Sequence, residues 1–279
     1  MTAGVRCGRI GYTNVLPIYA AFDAGKAVLP ARLTSAAPSA LNTMLIRDEL
    51  DCSPVSSFFY AQHCASLTLM RGLCVGSQSA VASVLCISPT PIEHLADREV
   101  SVTSESASGR ALFEVLCRLR YGFAPRLRTV EGPLTDGNHP RILIGDAAVA
   151  AAERSPAADV HDLGSLWRES TGYPMVYAVW AARLQFARRQ PQELEAVNAA
   201  LLESLAWGVA NIDQEVIPRA EAAVPRPAGF YADYYRKLFF RLDDTALCGL
   251  REFYRLAAAY SLLDREPEIS FHDEVFARG

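Results

Sequence analysis

No basic N-terminal segment followed by an apolar run opens this 279-residue sequence, so no secretory signal is expected. There is no run of like charge. With 27 basic against 31 acidic side chains the net charge of -4 leaves no electrostatic footprint for nucleic acid. The seven cysteines, at 7, 52, 64, 74, 86, 117 and 248, are odd in number and lack CxxC spacing. They read as reduced, buried thiols of a cytoplasmic protein rather than a disulfide framework or zinc site. The five histidines show neither HxH nor HExxH spacing, so no metal centre is visible. GxGxxG, GxxxxGK[ST] and GxSxG are all missing, which removes support for nucleotide-binding and serine-hydrolase readings. Residues 72–92 form the longest uncharged stretch. They carry Ser77, Gln78, Ser79, Ser83, Ser88, Thr90 and two prolines, too many polar groups for a membrane span. No internal repeat or low-complexity segment is visible.

What is present is globular: 51% hydrophobic and 21% charged residues, in a chain long enough to bury roughly three quarters of its unfolded surface. Short apolar runs alternate with helical patterns over the first 180 residues, an α/β order built on mainly parallel sheets. Strands are expected at 9–12, 31–34, 50–55, 80–87, 99–103, 141–144 and 174–181. Helices are expected at 38–49, from 56, at 110–121 and at 146–153. Beyond 181 the chain is helical. Leu194, Val197, Leu201, Leu205, Val209 and Ile212 repeat with helical period behind Pro191. A last helix, capped by Asp243 or Asp244, has Leu247, Leu250, Phe253, Ala257 and Tyr260 on its core face. The two long apolar strands bracket the middle α/β set. This predicts two lobes, residues 1–86 with 178–279 and residues 87–177, with the C-terminal helices returning to the first and a ligand cleft between. A single doubly wound sheet gives much the same element order.

Four strand-to-helix junctions carry small polar side chains: Thr13-Asn14, Ser53 to Ser57, Ser104 to Gly109, and Gly145-Asp146. A helix N-terminus presents unpaired N–H groups and partial positive charge, so several such ends meeting in one cleft would hold a carboxylate or phosphate. Such junctions lie outside the carboxyl ends of the strands, where ligands of open α/β sheets sit. The competing reading is that each residue caps its own helix, since these are the preferred capping types. Only the Ser104–Gly109 run exceeds what one cap needs. Trp167, Tyr173 and Trp180 are pocket or core residues, and Arg110 meets an anion or lies on a helix surface. From the residues alone the chain is a two-lobe binder of a small anion, with catalysis open.

Taken in order, these segments resemble the chorismate dehydratases of menaquinone biosynthesis by the futalosine route. The similar stretches are Arg9 to Tyr19 (RIGYTNVLPIY), Asp51 to Ser57 (DCSPVSS) and Val81 to Leu85 (VASVL). They continue with Thr103 to Ser108 (TSESAS), Ile144 to Ala148 (IGDAA) and Asp162 to Trp180 (DLGSLW, then TGYPMVYAVW). Ala107-Ser108-Gly109 departs from the family's A-T-S or R-T-S. The resemblance implies an α/β, two-lobe periplasmic-binding-protein-like fold of type 2 used as a cytoplasmic enzyme. It implies loss of water from the chorismate dianion to give 3-[(1-carboxyvinyl)oxy]benzoate, without metal or organic cofactor and without a nucleic-acid or membrane partner. The related 1,4-dihydroxy-6-naphthoate synthase carries a catalytic histidine where this chain has Gly145. A cytosolic binding protein for a small carboxylated metabolite is the alternative from outside enzymology.

Placed on that reaction, Asn14 and Ser83 are the expected catalytic residues. Thr13, Ser56, Ser57, Ser104, Ser106, Ser108, Gly145 and Asp146 are the expected substrate-binding residues. Donors on the ring carboxylate would stabilise charge developing in an enolate-like transition state, and Asn14 would orient the substrate or assist the leaving hydroxyl. These motifs contain no His or Lys, so the substrate's own enolpyruvyl carboxylate is the expected base, with Glu105 the competitor on the protein.

Overall fold

The computed structural model describes residues 4–132, 134, 139–156 and 159–275. In the first lobe β1 (Val5–Ile10) leads through a short 3-10 turn, Thr13–Val15, into α1 (Leu16–Asp23). β2 (Ala31–Ala36), α2 (Pro38–Ile46), β3 (Cys52–Ser56), α3 (Ser57–His63) and β4 (Leu67–Ser77) follow. The second lobe holds β5 (Val84–Ile87), β6 (Glu99–Thr103), α4 (Ala107–Tyr121), β7 (Arg126–Val130), β8 (Arg141–Ile144), α5 (Gly145–Ala152), β9 (Val160–Asp162) and α6 (Leu163–Thr171). The chain then returns through β10 (Met175–Arg183). It ends in α7 (Leu184–Arg189), α8 (Pro191–Ala210), α9 (Ile217–Ala223), α10 (Phe230–Lys237), β11 (Leu238–Phe239) and α11 (Asp244–Ala259).

Two sheets result, in the orders β11-β4-β10-β3-β1-β2 and β7-β6-β8-β5-β9. Neither is mainly parallel, contrary to the expectation from element order. β1 runs parallel to β2 and β3, and β6 to β7 and β8, but β10 opposes β3 and β4, and β5 opposes β8 and β9. The cause is topological. A strand arriving from the other lobe enters its sheet from the cleft, where the parallel strands have their carboxyl ends, so it must run against them. The first pairs confirm the direction: Val84 lies beside Ile144, and Ala178 beside Ser56. The expected lobe boundaries at 86/87 and 177/178 therefore fall inside β5 and β10, each of which belongs whole to one sheet.

Local sequence explains most element ends. Proline opens α1, α2 and α8, where its missing N–H costs nothing. Ser56, Asp162 and Asp243 accept backbone N–H bonds as caps of α3, α6 and α11. Several boundaries differ from expectation. The first strand spans Val5–Ile10 rather than 9–12, because Tyr12 already begins the turn. α2 stops at Ile46, before Asp48 adopts a left-handed φ of 64°. Only the second half of 80–87 is strand: Ala82 has φ 60°, and the stretch before Val84 is the crossing itself. β4, eleven residues long, was not expected at all. α11 returns to the first lobe as expected, its Phe253 meeting Phe58 of α3, and that ring also stands edge-on to Trp167 of α6 in the second lobe. Trp167 and Trp180 are core, Tyr173 is exposed, and Cys7, Cys52, Cys74, Cys86 and Cys117 are buried free thiols, whereas Cys64 is half-buried and Cys248 exposed, against the expectation of burial for all seven. Among the described residues no helix is long and apolar enough to cross a membrane.

Candidate active site

The carboxyl ends of β1, β3, β6 and β8 face one another across the cleft. Between them lies a cavity of about 80 Å³, lined by Tyr12, Asn14, Ser56, Ser83, Glu105 and Ser106 among others. Ile10, Val15, Val75, Val81, Val84 and Ile144 supply its apolar wall, and among the described residues no lysine, arginine or histidine lines it. A groove of about 740 Å³ lies outside, on the second lobe. Tyr12, Glu105 and Ile144 line both spaces and so form the partition between them. The Tyr12 hydroxyl donates to Glu105 Oε2 at 2.5 Å, a contact from one lobe to the other. Burial, and then the neighbouring carboxylate, push the Tyr12 phenol well above its ordinary range, so it remains a donor.

The expected site residues divide into three groups. Asn14, Ser83 and Ser106 meet in the inner cavity. The Asn14 side-chain oxygen and Ser106 Oγ are buried without a partner, a condition costing about 1–3 kcal/mol for each group unless a ligand answers it. Ser83 Oγ accepts from the Tyr234 hydroxyl at 2.9 Å, and its own hydroxyl has only the distant Val81 carbonyl, 3.4 Å away, as an acceptor within the protein. Tyr234 thereby leaves the Ser83 proton free for the cavity. Burial holds the Tyr234 phenol far above its ordinary range, which keeps it in the donating form.

A second group is spent on structure. Ser56 Oγ accepts the Phe59 N–H. Ser57 and Ser108 bond each other at 3.1 Å and reach the Val176 and Tyr177 carbonyls, while Ser108 also accepts the Phe58 N–H. The serines therefore close the α3 N-terminus and pin α4 to β10, and α4 itself begins beside the cavity without a side-chain cap. The Thr13 hydroxyl donates to Asp146 Oδ1 at 2.6 Å, joining the lobes, and Tyr235 donates to the Thr13 carbonyl. Ser104 faces the outer groove and donates to Glu131. Arg110 is likewise engaged by Thr129.

Gly145 forms the third group by itself. Its φ is 60°, and an added Cβ would lie 3.2 Å from the Tyr12 ring, so a side chain there would be strained by conformation and would crowd that ring. Residue-by-residue reading missed Tyr234, Tyr235 and Arg226. Arg226 donates to the Asp146 carbonyl and to Glu153, tying the C-terminal region to the second lobe. The tyrosines had a signal, since Tyr231, Tyr234 and Tyr235 at i, i+3 and i+4 mark one helix face. Among the described residues no three His, Cys, Asp or Glu side chains are grouped to hold a metal ion.

Residues 5–259 match the protein family described as menaquinone biosynthesis. The chain belongs to that family. It is 30% identical over 239 residues to the chorismate dehydratase of Thermus thermophilus, covering 80% of this chain and 85% of that one. Among solved structures it is similar to an Archaeoglobus fulgidus protein (TM-score 0.67, 19% identity, 93% of this chain and 98% of that one). It is also similar to the periplasmic aliphatic sulphonate binding protein of Escherichia coli (TM-score 0.64, 14% identity, 98% of each chain). At these identities the structural likeness establishes the fold, which is periplasmic-binding-protein-like with two lobes.

Proposed function

We propose that this member of the menaquinone biosynthesis family is a chorismate dehydratase, a hydro-lyase that converts chorismate to 3-[(1-carboxyvinyl)oxy]benzoate in the cytoplasm. The inner cavity is its active site. Asn14, Ser83 and Ser106 carry the chemistry, together with the uncapped first turn of α4. Support for this assignment comes from the convergence, in one cavity without a cationic side chain, of two unpartnered buried polar atoms and a serine whose proton is left available.

The energetics of a doubly acidic substrate favour such a site only if several donors act together. Charge-assisted hydrogen bonds contribute about 1.5–3 kcal/mol each, and a helix end adds up to about 2 kcal/mol in a partly buried setting. Three or four such contacts offset the desolvation of two carboxylates. Lysine would hold the dianion as well but would also hold the charge in place. Dipoles aimed at the ring carboxylate favour the transition state, in which charge grows on that group. Ser83 and Ser106 are assigned there. Asn14, the one amide in the lining, accepts from the ring hydroxyl or donates to it as it departs.

Proton removal falls to the substrate. A carboxylate moved from water into an apolar cavity becomes more basic, and the enolpyruvyl carboxylate is tethered to the ring it must deprotonate. Loss of water then aromatises the ring. The related naphthoate synthase is disfavoured at Gly145, where any side chain meets both the left-handed backbone and the Tyr12 ring. Purified protein mixed with chorismate should bleach the diene absorbance and build that of a substituted benzoate. Tight binding with unchanged absorbance would replace this reading with a metabolite-binding protein.

A further inference from the structure

The chain crosses from the first lobe to the second at 78–83, beside the cavity, and one carboxylate of the second lobe, Asp162 at the end of β9, holds that crossing. Asp162 Oδ1 accepts the Gly164 and Ser165 N–H groups at 2.9 and 3.1 Å, an ordinary cap on α6. Its Oδ2 serves another purpose, accepting Val81 N–H at 3.0 Å and Ala82 N–H at 2.7 Å on the first crossing, with Val81 also 3.1 Å from Oδ1. Ala82 has φ 60°, a left-handed conformation that an alanine does not adopt without cost and that needs an external hold. The next residue is Ser83. Packing reinforces the joint: a Cβ on Gly164 would fall 2.3 Å from the Ser79 carbonyl oxygen and 2.5 Å from the Tyr177 hydroxyl. Downstream, the Ser83 carbonyl accepts the Gly145 N–H at 2.8 Å, so the same short loop reaches the second-lobe wall of the cavity.

We infer that Asp162 is a positioning residue for the dehydration: by holding Val81 and left-handed Ala82 it sets where the Ser83 hydroxyl points. The inference rests on the assignment of Ser83 to the active site.

Asp162→Asn separates the two duties of the side chain. Its oxygen still caps α6, but its amide NH2 would face the Ala82 N–H, donor against donor. The expected result is a chorismate turnover number reduced roughly 10- to 100-fold, KM changed much less, and the melting temperature within a few degrees of the parent. In a Ser83→Ala background the same substitution should add almost nothing, because its effect runs through that hydroxyl. Ala82→Gly, which adopts the left-handed conformation freely, should restore a good part of the Asp162→Asn loss, a rescue that a purely structural role would not give. If the Asn variant does not fold, Asp162→Ser keeps one capping oxygen and serves the same comparison. Parent protein that turns over chorismate, with Asp162→Asn equal to it or equally damaging with and without Ser83, would overturn the inference alone. Parent protein inert toward chorismate would overturn the functional assignment, and this inference with it.

Discussion

Two buried polar clusters of this molecule handle charge in opposite ways. At the base of the first lobe, Asp51 is saturated. Its carboxylate accepts the Arg6 N–H, the Arg6 guanidinium at two points and the Arg183 guanidinium, with Asp48 completing the set. In the cleft the polar groups are, apart from Glu105, small, neutral and partly unanswered, with the Asn14 side-chain oxygen and Ser106 Oγ lacking partners and Ser83 donating only to the Val81 carbonyl 3.4 Å away. The first cluster is closed on itself and ties β1 to β10. The second is open and waits for something outside the chain. Motif reading placed residues of both in one set, since Asp51 and Ser56 belong to the same seven-residue stretch; partner count separates them.

The contrast is broken most severely at Asn14. Asn14→Ala should reduce turnover roughly 100-fold or more while the melting temperature stays near that of the parent, as expected where a group acts on the transition state rather than on the fold. Near-normal turnover would remove Asn14 from the mechanism.

Asp51→Ala should do the reverse. It strands Arg6 and Arg183 and should cost about 2–3 kcal/mol, the low side for a broken buried pair because the Arg6 side chain is 38% exposed. Thermal unfolding measures the loss, and turnover per folded molecule should be unchanged. Burial by itself would raise the Asp51 carboxyl, yet the bonds from Arg6 and Arg183 hold it below its ordinary 3.8. A depressed carboxyl stabilises the fold fully above that value and loses the contribution as pH falls through the lower folded one. Parent protein should therefore lose stability below about pH 4 more steeply than Asp51→Ala does.

Gly145→Ala sharpens the comparison where conformation and site meet. It places a side chain at φ 60° against the Tyr12 ring and should cost about 1–3 kcal/mol in stability, with a rise in KM as Tyr12 is displaced. The smallest effect is expected from Glu105→Gln. Glutamine keeps an acceptor for the Tyr12 hydroxyl, so turnover should fall only a few-fold. Complete loss with substrate binding retained would transfer the base from substrate to Glu105.

How much of this was legible in the sequence varies with how local each feature is. Caps and helix openings at Pro38, Pro191 and Asp243 were readable because each acts within one turn of its own helix. The crossing at 78–83 was not, because Val81, Ala82 and Ser83 have the composition of a buried strand. What bends them is a carboxylate eighty residues away. The serines that follow the third and sixth strands looked equivalent in sequence, and only their neighbours distinguish Ser106, which is unpartnered, from Ser57 and Ser108, which are consumed by each other and by β10.

By itself, the sequence determined the α/β order, the buried thiols, the family and the small polar residues at the strand ends, since periodicity, capping chemistry and motif order are written along the chain. Tertiary structure alone decided which of those hydroxyls remain free, which way the strands that cross between lobes run, and which distant side chains hold Ser83. Whether a polar atom is satisfied depends on partners brought in from elsewhere in the fold.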